Sequence, residues 1–266
     1  MKKKFWTRRN LILIIIGIIV VGIAGYYFYA RKFSMLPEVA VNMMVDVKEP
    51  TATDKVLIIS PHPDDETIAA GGYIERAIEN KAKVEILLVT DGNRRGVGAE
   101  RHQEFSQATK TLGVDSSDLK YLELPEFYLK ERVSEQDLNV KLSNEIADFV
   151  PTIIIYPDKN DQNPDHKYIG ETMEKILADK QDIVAYSYLV HYRYFPQPVG
   201  LKMDANMTPP VKLVDFSYRW ERFMLTNDEE QIKLNALSIY KTQLRTPLLH
   251  DLLMSMVRKN ELFSAR

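Results

Sequence analysis

The chain has 266 residues, 45% apolar and 27% charged, with a formal net charge of −2 at pH 7. That balance fits a folded protein, not a disordered one, and gives no reason to expect a nucleic-acid partner. There is no cysteine, which excludes disulfides, thiolate metal sites and cysteine nucleophiles.

The first element is an apolar run. Leu11 to Ala30, LILIIIGIIVVGIAGYYFYA, carries no charge. As a helix it spans about 30 Å, the thickness of a bilayer core. Lys2, Lys3, Lys4, Arg8 and Arg9 precede it, and Arg31 and Lys32 follow. The heavier basic flank predicts a cytoplasmic segment over 1–10, a single-pass signal anchor over 11–30 in the cell membrane, and the remaining chain outside. Trp6 and the aromatics Tyr26 to Tyr29 suit the two interfaces. A cleaved signal peptide is the rival reading. Against it, the run is long, and Phe28 stands where a small residue should precede Ala30. Residues 31–54 read as a juxtamembrane linker, punctuated by Pro37 and Pro50, with a short strand in AVNMMVDV.

From residue 55 to 266 one α/β domain is expected. KVLIIS (55–60) is a short run rich in branched residues and predicts a buried strand. Helical spacing follows over 66–80, then a strand at 83–90 and a helix over 99–113 that ends at Gly113. A strand at 119–124, a helix at 134–149 with a Ser-x-x-Asp start, and a strand at 152–157 continue the pattern. A helix over 166–179, strands at 182–192 and 211–217, and a helix over 228–244 complete it. Such alternation predicts a Rossmann-like, mainly parallel sheet with helices on both faces. Its ligand site belongs at the carboxyl ends of the strands. Three polar loops are placed there: PHPDDE after the first strand, DGNRRG after the second and DKNDQNPDH after the fourth.

These loops have the composition of a metal site. A catalytic zinc takes three protein ligands and keeps a position for water. His62 and Asp65 lie three apart in a strand-to-helix turn, and His166 can supply a third ligand. Asp64, next to a ligand, is placed to take a proton from the water. Two histidines and a carboxylate suit zinc well, one ion per chain. The competing reading makes Asp64 and Asp65 helix caps and His166 a surface residue.

PHPDDE followed by a helix containing AGG resembles the AHPDDE signature of the PIG-L/LmbE-like family of zinc-dependent N-acetylglucosamine deacetylases. TDGNRRG, RHQEFSQATKTLG, NPDHKYIG and KLNALSIYKTQL are similar, in order, to further family motifs, so the resemblance runs over about residues 55–244. It implies an enzyme that hydrolyses an acetamido group on an N-acetylglucosamine-type glycoconjugate. His62, Asp65 and His166 would bind zinc and Asp64 would be the general base. Arg101 would stand on the substrate side of the site, and Glu66 would orient the turn. His191, after a late strand, is a further candidate for substrate contact.

Two positions depart from the family pattern. Asn163 stands where relatives carry the first histidine of H-P-D-H. An amide can donate to an oxyanion but cannot shuttle a proton. Asp64 is therefore expected to act as base and, once protonated, as acid to the leaving amine. Asn93 stands where many relatives carry an acid, which bears on substrate identity. An amidase of a larger glycoconjugate, a metal-dependent glycosyltransferase and a non-catalytic carbohydrate-binding protein are the rival functions. No phosphate-binding glycine loop accompanies PHPDDE, which weighs against the glycosyltransferase.

Overall fold

A computed structural model describes residues 8–266 except Ser217. The basic residues at 2–4 and Trp6 lie outside the described residues. The elements run α1 (Arg8–Lys32), β1 (Val45–Asp46), β2 (Lys55–Ser60), α2 (Asp65–Glu79), β3 (Lys83–Thr90), α3 (Gly98–Thr111) and β4 (Leu119–Leu124). They continue with a short turn of helix α4 (Leu129–Arg132), α5 (Glu135–Phe149), β5 (Ile153–Pro157), α6 (Pro164–Leu177) and β6 (Val184–Tyr188). The C-terminal part is β7 (Arg219–Met224), α7 (Asn227–Leu237), α8 (Lys241–Leu244), α9 (Pro247–Met254) and β8 (Asn260–Ala265).

The strands form one eight-stranded sheet in the order β1-β7-β8-β6-β5-β2-β3-β4. Strands β2 to β6 pair in parallel, and β8 runs antiparallel to both β6 and β7. The mainly parallel sheet with helices is as expected. Its continuous apolar runs are split by the strand period of two. Val56 and Ile58 face one core with Tyr73 and Ile74 of α2, while Leu57 and Ile59 face another with Leu142 of α5 and Ile169 of α6. From β2 the chain winds outward through β3 and β4, then returns to place β5 on the other side of β2. The switch point between β2 and β5 is where open α/β sheets hold ligands.

Three local expectations are corrected. VKLVDFS is not a strand: Val211–Leu213 is a 3-10 turn, and Ser217 lies outside the described residues. That side of the sheet is built instead from β8 and β7, with β1 at the edge. The strand expected over 182–192 stops at Tyr188, because Val190 N and His191 N donate to Asp161 Oδ2 at 2.9 Å each rather than to a neighbouring strand. The helix expected over 228–244 breaks after Leu237, where the Tyr240 hydroxyl is drawn to Glu66 Oε1. Residues 31–54, read as a juxtamembrane linker, pack against the domain: Met35, Val41 and Val47 are buried, and β1 pairs with β7.

Asp54 fastens that segment to the sheet. Its carboxylate accepts from Lys48 Nζ at 2.5 Å, Thr51 N at 2.9 Å and Thr152 Oγ1 at 2.9 Å. Burial alone would raise its pKa, but the hydrogen bonds from Lys48, Thr51 and Thr152 outweigh burial and hold it below the usual carboxylate range. A folded-state pKa below the unfolded one adds stability above the unfolded value of about 3.9, and that stability is lost as pH falls through the folded one. Asp54→Asn is therefore expected to lower stability near neutral pH by about 1–2 kcal/mol, after allowance for solvent screening of the half-exposed Lys48. Thermal melts compared from pH 7 downward should show the gap to wild type closing below about pH 4.

Candidate metal centre

The turn after β2 is shaped by groups that satisfy its backbone. Thr90 donates to Pro61 O through both its hydroxyl, at 2.8 Å, and its backbone N, at 3.1 Å. Ser60 Oγ lies 2.7 Å from His62 O and 3.0 Å from Glu66 Oε2. Asp64 N donates to the same Glu66 oxygen at 3.3 Å, so Glu66 is buried inside the turn that it orients. The loop after β3 closes on this turn at Gly92, with φ of 61°, where a Cβ would sit 2.9 Å from Pro63 Cγ. Asp64 itself has φ of 132°, a strained conformation for a non-glycine residue and a feature that concentrates at functional sites. It makes no side-chain cap bond to α2.

Three donor atoms converge from two loops. Asp65 Oδ2 is 2.9 Å from His166 Nε2 and 3.2 Å from His62 Nδ1, and the two imidazole nitrogens are 3.2 Å apart. Zinc bonds of about 2.0–2.1 Å in tetrahedral geometry separate ligands by about 3.3 Å, so this triangle matches one face of such a site. The second nitrogen of each ring faces a carboxylate. His62 Nε2 is 3.2 Å from Asp165 Oδ2, and His166 Nδ1 is 3.4 Å from Asp161 Oδ2. This carboxylate–histidine arrangement fixes ring orientation at metal sites. Backbone donors hold both carboxylates: Phe127 N and Leu129 N on Asp165, and Asn163 N, Val190 N and His191 N on Asp161.

Electrostatics favours a cation at the centre. Burial opposes charge on His62, but Asp165 and Asp65 outweigh it and raise its pKa to about 9. Burial likewise opposes charge on His166, and Asp65 and Asp161 drive it well above the ordinary value. Asp65 is held well below the carboxylate range despite burial, chiefly by His166. Without a metal the site thus gathers protons where the three donors meet. The residues fit a divalent metal ion.

Asp64 lies beside this triangle, 7% exposed. Burial pushes its carboxyl up, and the Arg101 guanidinium, 3.8 Å away, opposes the shift. Arg101, expected on the substrate side, is itself buried. Nη2 donates to Pro63 O at 3.0 Å, and Nη1 donates to Gly92 O at 3.2 Å and to Glu126 at 3.0 Å. It ties the loops after β2, β3 and β4 together and sets the charge around Asp64. Asn163 Oδ1 accepts from Asp165 N at 2.9 Å as the N-cap of α6. Asn93 Oδ1 similarly accepts from Gly98 N at 3.1 Å. His191 is half-exposed at the rim, its ring edge-on to His166 with centroids 4.7 Å apart and its Nδ1 3.5 Å from Asp161.

Sequence reasoning named the three converging donors but not Asp161 and Asp165. Both stand in DKNDQNPDH among other acids and amides, and nothing in spacing separates them. Their roles come from contacts with the loops after β4 and β6.

Residues 57–177 match the model of the PIG-L family, described as GlcNAc-PI de-N-acetylase. Over that stretch, a little under half of the chain, the sequence is similar to the PIG-L family. The PIG-L match begins in β2 and ends with α6, and so contains every donor of the centre. A putative glucosamine-6-phosphate deaminase-like protein of Bacteroides thetaiotaomicron is 34% identical over 90 residues, which are 31% of this chain and 13% of that protein. Diacetylchitobiose deacetylase of Thermococcus kodakarensis is 29% identical over 128 residues, 44% of this chain and 46% of that one. The matches span less than half the length of both curated relatives. The solved structure of N,N'-diacetylchitobiose deacetylase from Pyrococcus horikoshii superposes with a TM-score of 0.60 at 19% identity, covering 83% of this chain and 87% of that one. That likeness establishes a shared fold.

Proposed function

We propose that this protein is a PIG-L family, zinc-dependent N-deacetylase of an N-acetylglucosamine-containing glycoconjugate. The observation that carries the reading is the meeting of Asp65 Oδ2, His62 Nδ1 and His166 Nε2 within 3.2 Å beside the buried Asp64. When bound, zinc supplies Lewis acidity that polarises the acetyl carbonyl and acidifies the attacking water.

The chain's residues do the rest. Asp64 takes the proton of the attacking water on its carboxylate and returns it to the leaving amine, so one group serves as base and then as acid. Arg101 positions Asp64 by holding Pro63 O and by its own charge. Asn163 has its Oδ1 engaged in the cap, which leaves the Nδ2 end as the donor to charge developing on the carbonyl oxygen. His191 at the rim contacts the sugar. Asp161 and Asp165 orient the ligand histidines.

The reading includes a membrane anchor. α1 is 25 residues long, with mean hydropathy 2.7 over its best window and none of that window buried. The basic N-terminal flank supports a cytoplasmic N-terminus and an extracellular PIG-L domain, facing envelope or exported glycans.

Full-length protein in detergent, loaded with one equivalent of zinc, is expected to release acetate from N-acetylglucosamine glycosides. Chelation should abolish release and zinc should restore it. Stoichiometric zinc without acetate from any glycoside would reject the deacetylase reading.

A further inference from the structure

The end of α1 packs beside the candidate site. The Tyr27 ring meets Tyr194 edge-on with centroids 5.7 Å apart, and Arg31 Nε donates to Gln197 Oε1 at 2.9 Å. Just beyond the helix, Ser34 O accepts from Val211 N at 2.9 Å, and Met35 forms a bridge to Pro210. Two adjoining grooves follow, of about 390 and 470 Å³. Gln162 and Tyr194 line both; His191 and Arg31 line the first, and Arg193 and Lys212 the second. Gln162 sits between Asp161 and Asn163, so the grooves connect the rim of the metal centre with the end of the apolar helix.

The lining is of one sign. Among the described residues, Arg31, Arg193 and Lys212 are its charged groups, and no carboxylate lines either groove. The contacts of Arg31 with Gln197 and of Arg193 with the Tyr194 ring and hydroxyl leave both charges uncompensated by those partners. Around them stand Tyr27, Tyr29, Phe33 and Val211, which are 46%, 63%, 56% and 44% exposed. Tyrosines and cations mixed with exposed apolar side chains form the composition that settles at a bilayer surface: rings lie at headgroup depth, and basic side chains meet anionic lipid. A soluble anion would explain the cations but not the exposed Phe33 and Val211.

We propose that the collar formed by the last turn of α1, Tyr192–Tyr194 and Val211–Lys212 binds the headgroups of anionic phospholipids. The rim of the metal centre then opens at the membrane surface, and the sugars within reach are those held near the lipid. This rests on the reading of α1 as a membrane span, and the test separates the two.

The chain has no cysteine, so single cysteines place a fluorophore without background. Full-length Val21→Cys, Val211→Cys and Lys110→Cys are labelled and reconstituted in nanodiscs of brominated phosphatidylcholine, with and without about 30% phosphatidylglycerol. The expected result is a quenched Val21 probe in every disc and an unquenched Lys110 probe. The Val211 probe should be quenched about twofold or more in anionic discs, with recovery in neutral discs, at high salt, and in an Arg193→Glu/Lys212→Glu background. An unquenched Val21 probe overturns the span and the collar together. A quenched Val21 probe with an unquenched Val211 probe overturns the collar and leaves the span standing. Quenching at Val211 that ignores lipid charge overturns the anionic headgroup as ligand.

Discussion

Asp64→Asn is expected to lower kcat for acetate release by about 10²- to 10⁴-fold while KM and zinc content stay near wild type. The amide has the size of the carboxylate but cannot accept the proton of the attacking water. It is not one of the three converging donors, so metal content should hold. Asp64 is 3.8 Å from Arg101 and makes no helix-cap bond, so few contacts of the folded state depend on its charge. A large loss of zinc would instead make Asp64 a ligand. Unchanged kcat with full zinc would place the base elsewhere, and His191, edge-on to His166, would be the next residue to replace. Since Asn163 occupies the place of a family histidine, the proton that Asp64 accepts has no histidine from that position to carry it onward. The variant should therefore lose both proton-transfer steps, which favours the upper part of the range.

What could be read in the sequence follows from how locally each feature is determined. β2, β3 and β5 are buried on both faces, so KVLIIS, KVEILLVT and TIIIYP are nearly continuous apolar runs whose length and branched residues identify them. β7 and β8 defeat the same test. Arg219–Met224 carries two arginines and a glutamate, and Asn260–Ala265 buries Asn260, Glu261 and Ser264. Those polar groups are tolerated because distant partners satisfy them: Asn260 bonds both the N and the O of Met207, and Glu261 bonds the backbone of α2. The three converging donors are legible because His62 and Asp65 share one turn and histidines are rare marks in this chain, five in all. Arg101 stands out in the sequence, but its work does not, because Pro63, Gly92 and Glu126 meet it only after folding. A resemblance transfers positions, and the contacts at those positions must come from the fold.

The buried pair Lys233–Glu261 should have the largest effect on stability. Lys233 Nζ donates to Glu261 Oε1 at 2.7 Å, and both side chains are fully buried. The same carboxylate accepts from Gly72 N at 2.8 Å and Tyr73 N at 2.9 Å. Those donors are exposed by a break in α2, where Ala70 has φ of −137°. Glu261 thus caps the second part of α2, and Lys233 neutralises the cap. The Gly71–Gly72 pair lets the partner elements come this close: a Cβ on Gly71 would lie 3.2 Å from Lys233 Cγ, and one on Gly72 would lie 2.3 Å from Leu225 Cδ2. Lys233→Met keeps most of the volume and leaves the carboxylate without its cation. Breaking a buried pair in this way costs about 3–5 kcal/mol, which for a domain of this size lowers the melting temperature by roughly 6–20 °C. Glu261→Gln added to Lys233→Met should recover part of the loss, since a neutral amide needs no counterion but offers one acceptor oxygen to two N–H groups. Thermal melts of both variants in detergent test this. No change in the single variant would show that the α2 break is held by the two backbone bonds alone. A drop without recovery in the double variant would show that the break requires a charged acceptor. Either way the consequence reaches the candidate metal centre, because the first turn of α2, five residues before the break, carries Asp65 and Glu66.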